Sequence, residues 1–349
     1  MTTRRAMVIG FGYAGRRFAR VLEHISRDHD LPVELVGVVE RKLVEVDGLP
    51  VFGTVAHGLR ESAPDVVCVS VNEEQHEAVF DELADYGPSL VLSEKPLTTD
   101  LASAVRVVKN LRGHQFSMNL VERFSPLVPR FRAWADQQPD LSVVRVEAHW
   151  GKHRIFDPRP TMGVLSELIH PLDLIQHLFM PLDTVSVHAQ AVISDLDVTG
   201  RPRLDTIDVN FDMAGSPVLL HSSYAWPDRV RTVTALVRSG ARMFRVLFTF
   251  DQPHWDCDSL EIREITEDGR WRPLMQAHVD VADVPEPIAG VGKMHTFVRR
   301  SLGLPVPGWP DCDDLVGLDA ALELQRLIEG IADAAVDSTA LARYREAGR

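Results

Sequence analysis

The first hundred residues alternate short apolar runs with helical patterns. Ala6-Met7-Val8-Ile9 is uninterrupted by polar residues, as suits a strand buried on both faces of a parallel sheet, and it stops at Gly10. Apolar positions then recur at Phe18, Val21, Leu22 and Ile25, the spacing of one helix face. Leu35-Val36-Gly37-Val38-Val39 predicts a second strand ending at Glu40, and Asp65-Val66-Val67-Cys68-Val69-Ser70-Val71 a third. After a helix through Val79, Phe80 and Leu83, the run Ser89-Leu90-Val91-Leu92 predicts a fourth strand, which leads into Ser93-Glu94-Lys95-Pro96. Strands alternating with helices in this way predict an α/β fold around a parallel sheet.

The pattern changes in the second half. Segments near 142–150, 183–194, 205–213, 217–225, 230–239, 242–250 and 258–266 alternate or cluster apolar residues between turn signals, which predicts a large, predominantly antiparallel sheet. Helical patterns follow through Met294, Phe297 and Val298, and from Leu315 to Ile331; both are expected to return to the domain junction. The polar end from Ala340 to Arg349 is expected to fray.

The first turn carries the strongest chemical signal. Gly10-Phe11-Gly12-Tyr13-Ala14-Gly15 has the G-x-G-x-x-G spacing of a dinucleotide site: a glycine for the tight turn, one for close approach of the pyrophosphate, one for packing of helix on strand. Phosphate is expected at the N-terminus of the following helix. Glu40 stands where a carboxylate hydrogen-bonds the adenosine ribose hydroxyls, favouring NAD(H) slightly over NADP(H). Arg41 and Lys42 pull the other way, since a guanidinium there pairs with a 2′-phosphate or stacks on adenine; a solvated charged turn is the alternative for both. Val71, Asn72 and His76, after the third strand, and Glu94, Lys95 and Pro96, after the fourth, fall at the same carboxyl edge and complete the expected cofactor contacts. The expected architecture is an amino-terminal Rossmann dinucleotide-binding domain, residues 1–122, and a carboxyl-terminal α+β domain, residues 123–349, with a large open antiparallel sheet.

Composition narrows the alternatives. The chain has 349 residues, 45% hydrophobic and 25% charged, with a formal net charge of −13, so nucleic acid and anionic membrane surfaces are not expected partners. No stretch approaches the length of a membrane span. Cys68, Cys257 and Cys312 fit neither a zinc spacing nor a disulfide framework, so no metal is expected. Arg4-Arg5 lacks the continued apolar run of an export signal, and a cytoplasmic location is expected.

Glu94-Lys95-Pro96, taken with the glycine turn, resembles the corresponding strand end of the Gfo/Idh/MocA oxidoreductases. Asn119-Leu120-Val121-Glu122-Arg123-Phe124-Ser125-Pro126 resembles that family's domain junction, and Gly163-Val164-Leu165-Ser166-Glu167-Leu168-Ile169-His170 the start of its substrate-side helix. The loop Val71-Asn72-Glu73 departs from the Thr-Pro-Asn frequent in the family. The resemblance implies hydride transfer to or from a sugar, cyclitol or sugar-nucleotide hydroxyl or carbonyl, and a homo-oligomer formed through the carboxyl-terminal sheet. Reduction of a C=N bond and non-catalytic dinucleotide sensing are the competing readings.

Such chemistry needs a group that takes or returns the hydroxyl proton. The resemblance implies a lysine and a histidine, and Lys95 and His170 are the candidates. Glu167, His170 and Asp173 are three residues apart and can form one polar helical stripe, with Glu167 and Asp173 as further catalytic candidates. Pro171 either bends this helix beside His170 or sits in the first turn of a helix that begins near Ile169. Lys152 and Arg154, flanking His153, can bind an anionic substrate group or cap a solvated strand end.

Overall fold

The computed structural model describes residues 3–27, 33–42, 45–46, 48–157, 162–183, 187–196, 203–213, 215–310, 314–336 and 340–342. Parts of the sequence-predicted segment 183–194 and the tail 343–349 lie outside these. The chain forms two compact units, Met1–Phe124 with Val284–Gln325, and Ser125–Asp283 with Arg326–Arg349.

The first unit opens with β1 (Arg4–Ile9), α1 (Tyr13–Ser26), β2 (Val33–Val39), β3 (Val51–Phe52), α2 (Val55–Ser62), β4 (Val66–Val69), α3 (His76–Tyr86), β5 (Leu90–Ser93), α4 (Leu101–Asn110) and β6 (Gln115–Met118). Its strands make a six-stranded parallel sheet in the order β3-β2-β1-β4-β5-β6. The last four residues of β1 and all of β4 and β5 are buried, which explains their unbroken apolar character. Strand order reverses beside β1, the position where ligands gather at the carboxyl ends of such a sheet.

The second unit contains α5 (Leu127–Ala135), β7 (Ser142–His153), α6 (Leu165–Leu178), β8 (Val187–Ser194), β9 (Arg203–Met213), β10 (Ser216–Ser223), β11 (Ala225–Ser239), β12 (Arg242–Thr249), β13 (Asp258–Ile265) and β14 (Trp271–Val279). The chain continues through α7 (Gly292–Ser301), α8 (Leu318–Val336) and β15 (Ala340–Ala342). The sheet is nine-stranded, ordered β14-β13-β12-β11-β7-β10-β9-β8-β15. It is antiparallel except where β10 meets β7 and β15 meets β8. Alternation sends Val233, Ala235, Val237, Phe244, Val246, Phe248, Leu260 and Ile262 to one buried face. There α5 sets Phe131 against Phe248 and Trp134 against Phe244, with ring centroids 5.5 and 5.2 Å apart. Helix α6 packs on β7 and β10.

Two expectations need adjustment. A boundary at 122/123 assigns residues 284–325 to the second domain, whereas they pack in the first unit. The cause is the apolar face of α7: Met294, Phe297 and Val298 join the core of Phe18, Val21 and Phe124, with the rings of Phe297 and Phe124 5.4 Å apart. At the chain end, Ala340–Ala342 is not frayed but pairs in parallel with β8.

Candidate functional site

In the first unit the candidate residues collect at the carboxyl ends of β1, β2, β4 and β5. Gly10 has φ +86°, a conformation that disfavours side chains, and a Cβ there would meet the Ser70 carbonyl oxygen at 2.8 Å. A Cβ on Gly15 would stand 1.9 Å from the Gly10 carbonyl oxygen, so α1 can lie this close to the turn only with glycine. Gly12 is different: nothing lies within 4 Å of its Cβ position. The protein leaves that space open, and Gly12 sits at the N-cap of α1 without a side-chain cap. Open space at Gly12, beside the N-terminus of α1, leaves room for a pyrophosphate.

Glu40 reaches back to this turn. Its Oε2 accepts from the Phe11 amide at 2.9 Å and its Oε1 from the Lys42 amide at 3.1 Å. Arg41 is exposed. Ser70 Oγ lies 3.1 Å from the Ile9 carbonyl oxygen and 2.7 Å from that of Gly10, tying the end of β4 to the glycine turn. Val71 and Asn72 follow it, partly exposed.

The lysine-bearing loop is held from two sides. The Glu94 amide donates to the Val69 carbonyl at 2.8 Å, and Glu94 Oε1 accepts from Asn119 Nδ2 at 2.8 Å. On the other side His76 is fully buried, its Nδ1 2.9 Å from the Pro96 carbonyl oxygen and its Nε2 3.2 Å from that of Val71. Burial pushes its pKa below the ordinary value, against the opposing pull of the Pro96 carbonyl and Glu73. His76, expected among the cofactor contacts, thus braces the backbone on which Val71 and Pro96 sit. Lys95 itself is half-buried at the end of β5.

The second unit assembles its own polar group around α6. The helix begins at Leu165, so Pro171 lies inside it and removes the hydrogen bond that residue 171 would give the Glu167 carbonyl. Glu167, His170 and Asp173 fall on one stripe and are all buried. Glu167 Oε1 accepts from Arg154 Nη1 at 2.8 Å and lies 3.5 Å from Lys152 Nζ. Arg154 also pairs with Asp157 at 2.9 Å, and these carboxylates raise the guanidinium pKa against the burial that opposes it. Lys152 and Arg154, expected from sequence either to bind an anionic substrate group or to cap a solvated strand end, both contact the Glu167 carboxylate.

Sequence reasoning did not single out Asn119 as the partner of Glu94, nor Trp150, whose indole stacks on the His170 imidazole with centroids 5.8 Å apart and planes inclined by 18°. Both depend on contacts between distant segments. Among the described residues there is no cluster of histidine, cysteine and carboxylate groups suited to a metal, and no helix long and apolar enough to cross a membrane.

Known proteins share this fold. Residues 4–119 match the model of an oxidoreductase family with an NAD-binding Rossmann fold. No curated protein matches the sequence. Among solved structures, UDP-N-acetylglucosamine 3-dehydrogenase from Acidithiobacillus ferrooxidans is 18% identical, with 97% of this chain and 99% of that chain covered and a TM-score of 0.66. A levoglucosan dehydrogenase in complex with NADH and L-sorbose is 12% identical, covering 97% of this chain and 98% of that chain, with a TM-score of 0.73. The 3-ketoreductase KijD10 from Actinomadura kijaniata, in complex with TDP-benzene and NADP, is 17% identical over 98% of this chain and 100% of that chain, with a TM-score of 0.69. At such identities the likeness shows the fold.

Proposed function

We propose that the chain, whose residues 4–119 match an oxidoreductase family with an NAD-binding Rossmann fold, is an NAD(P)-dependent oxidoreductase of the Gfo/Idh/MocA type that transfers hydride to or from a sugar, cyclitol or sugar-nucleotide hydroxyl/carbonyl pair, with a slight preference for NAD(H). The observation that carries this reading is the meeting, on one sheet edge, of the open space at Gly12, the carboxylate of Glu40 and the braced strand end that presents Lys95. Nicotinamide, when bound, supplies the hydride acceptor or donor.

The protein's own groups divide the remaining work. Gly10, Phe11, Gly12, Tyr13, Ala14 and Gly15 hold the pyrophosphate, and Glu40 the adenosine ribose; a carboxylate fixed there welcomes a diol and repels a 2′-phosphate. The Lys95 ammonium polarises the reacting oxygen, and His170 exchanges its proton. Glu167 and Asp173, one helical turn to either side, orient the imidazole. The names of the similar structures, a UDP-N-acetylglucosamine dehydrogenase, a levoglucosan dehydrogenase and a 3-ketoreductase, support the substrate class. A homo-oligomer through the second face of the large sheet belongs to the same reading: α5 and α6 pack on one face, while the other carries His149, Asp208, His221 and Thr232 beside a cavity of about 950 Å³.

The test is a fluorescence titration with NADH and NADPH, followed by a turnover screen of sugars, cyclitols, their keto forms and cyclic imines with the preferred cofactor. Saturable NADH binding with turnover of a hydroxyl/carbonyl pair is expected. Turnover of imines alone moves the chemistry to C=N reduction, binding without turnover points to a sensor, and absence of binding removes the reading.

A further inference from the structure

Behind His170 stands a column of side chains that proton exchange at the imidazole does not by itself require. The Trp150 ring lies nearly parallel to the His170 ring. The Arg231 guanidinium carbon is 5.1 Å from the Trp150 ring centroid and 5.0 Å from that of Trp255, so the cation contacts both indoles. Trp150 and Arg231 are direct cross-strand partners on β7 and β11. Trp150 is fully buried and Arg231 is 2% exposed.

A buried cation needs a fixed counter-charge, and Arg231 Nη1 has one in Asp251 Oδ2 at 2.5 Å. Asp251 is itself locked: its Oδ1 accepts from the Asp256 amide and its own amide donates to Asp258 Oδ1, both at 2.9 Å. Phe250 leans on Trp150 with centroids 6.3 Å apart. The indole therefore has little room to tilt.

We infer that Trp150 is a positioning residue for His170: its indole, held by the Arg231–Asp251 pair, fixes the plane in which the imidazole presents its nitrogens. A near-parallel indole beside the imidazole restricts its rotation but leaves the in-plane nitrogens available for proton exchange. A small error in that plane is costly, since misplacement by about 1 Å can lower a rate by about 10²-fold. This deepens the proton-exchange role proposed for His170 and rests on it.

Several charged groups lie on the elements around His170. They are Glu167 and Asp173 on its own helix, Lys152 on β7, and Arg154 and Asp157 after it. β11 adds Arg231, with Asp251 beyond it, and the ionisable side chain of β10, His221, lies on the other sheet face beside His149. The substitutions that test the column leave the groups on α6 and β7, other than Trp150, in place.

The experiment uses the full chain with histidine labelled for NMR, the His170 ring signal being identified by its loss in His170→Gln. In Trp150→Ala the signal should move, kcat should fall about 10-fold or more, and KM should stay within about threefold, with Trp150→Phe restoring most of each. A folded Trp150→Ala variant whose His170 signal and pH–rate profile match the parent overturns the inference. A moved signal with unchanged turnover also overturns it, because loss of the indole ring current shifts the signal by itself; turnover of His170→Gln tests the proton-exchange role separately. If Trp150→Ala does not fold, the double substitution Arg231→Met with Asp251→Asn, which removes the support without stranding a charge, decides the matter by the same signal: movement supports the clamp, and an unmoved signal overturns it.

Discussion

The amide of Phe11 donates to Glu40 Oε2 at 2.9 Å, joining the glycine turn after β1 to the acid that ends β2. The same carboxylate takes the Lys42 amide at 3.1 Å, so its position is set before any ligand arrives. Glu40→Ala should therefore raise the NADH dissociation constant by about tenfold, the scale of a lost hydrogen bond to a charged group, while NADPH binding changes less or improves. Titrations of both cofactors against parent and variant measure this. A parent that already prefers NADPH would reject the assignment of Glu40 to a ribose diol.

The glycines of one turn should respond differently to substitution. Gly15→Ala drives a Cβ into the Gly10 carbonyl, and backbone cannot step aside cheaply; a cost of about 1–3 kcal/mol, or a Tm lower by a few degrees to about 10 °C, is expected. Gly12→Ala places a Cβ where no protein atom lies within 4 Å, so its Tm should match the parent while NADH and NADPH affinities both fall. Thermal melts with and without cofactor separate the two effects. Equal melting loss in both variants would show that Gly12 serves packing.

His76 carries a pH dependence whose sign follows from its burial. Its folded pKa is depressed below the ordinary 6.5 because the charged ring is disfavoured in the interior. The unfolded chain then takes up the proton first as pH falls, so stability present above about pH 6.5 is lost through the window between the ordinary and the depressed value. The parent should melt lower at pH 5 than at pH 7.5, and His76→Gln should flatten part of that slope. An unchanged slope in the variant would assign the acid sensitivity elsewhere.

Legibility in the sequence followed the reach of the interactions. β1 and β5 were readable because a strand buried on both faces has little choice but to be apolar, and the antiparallel strands because alternation marks a half-buried sheet. β6 was not, since Gln115–Met118 offers four residues with no clear period. β14 is an edge strand with Pro273 and a mostly exposed pattern, which hides it from any periodicity argument. At the site, the glycine turn, Glu40 and Lys95 stood out because their spacing is local. Asn119 on Glu94, Trp150 on His170 and the brace at His76 depend on which distant segments the topology joins. Pro171 shows the middle case: its presence in α6 was visible, but where the helix began was not.

Lys95→Ala should lower turnover by about 10²-fold or more with little change in cofactor affinity, because the Glu94–Asn119 bond and the glycine turn remain intact. His170→Gln should lower kcat in the same direction. Stopped-flow and steady-state measurements with the substrate found by screening would check both. Turnover unaffected by either substitution would leave dinucleotide binding without the proposed chemistry.

The contribution of Met294, Phe297 and Val298 to a core that begins at β1 sets a timetable for biosynthesis. A ribosome delivers the whole six-stranded sheet early, yet the helix that covers part of its first unit belongs to a segment ending at Gln325. The nascent sheet must wait, with that apolar surface uncovered, while the second unit is translated in between. Vectorial synthesis thus makes the dinucleotide unit the first to start and among the last to finish. A gene fragment stopped after Phe124 would encode its strands without its closing helix.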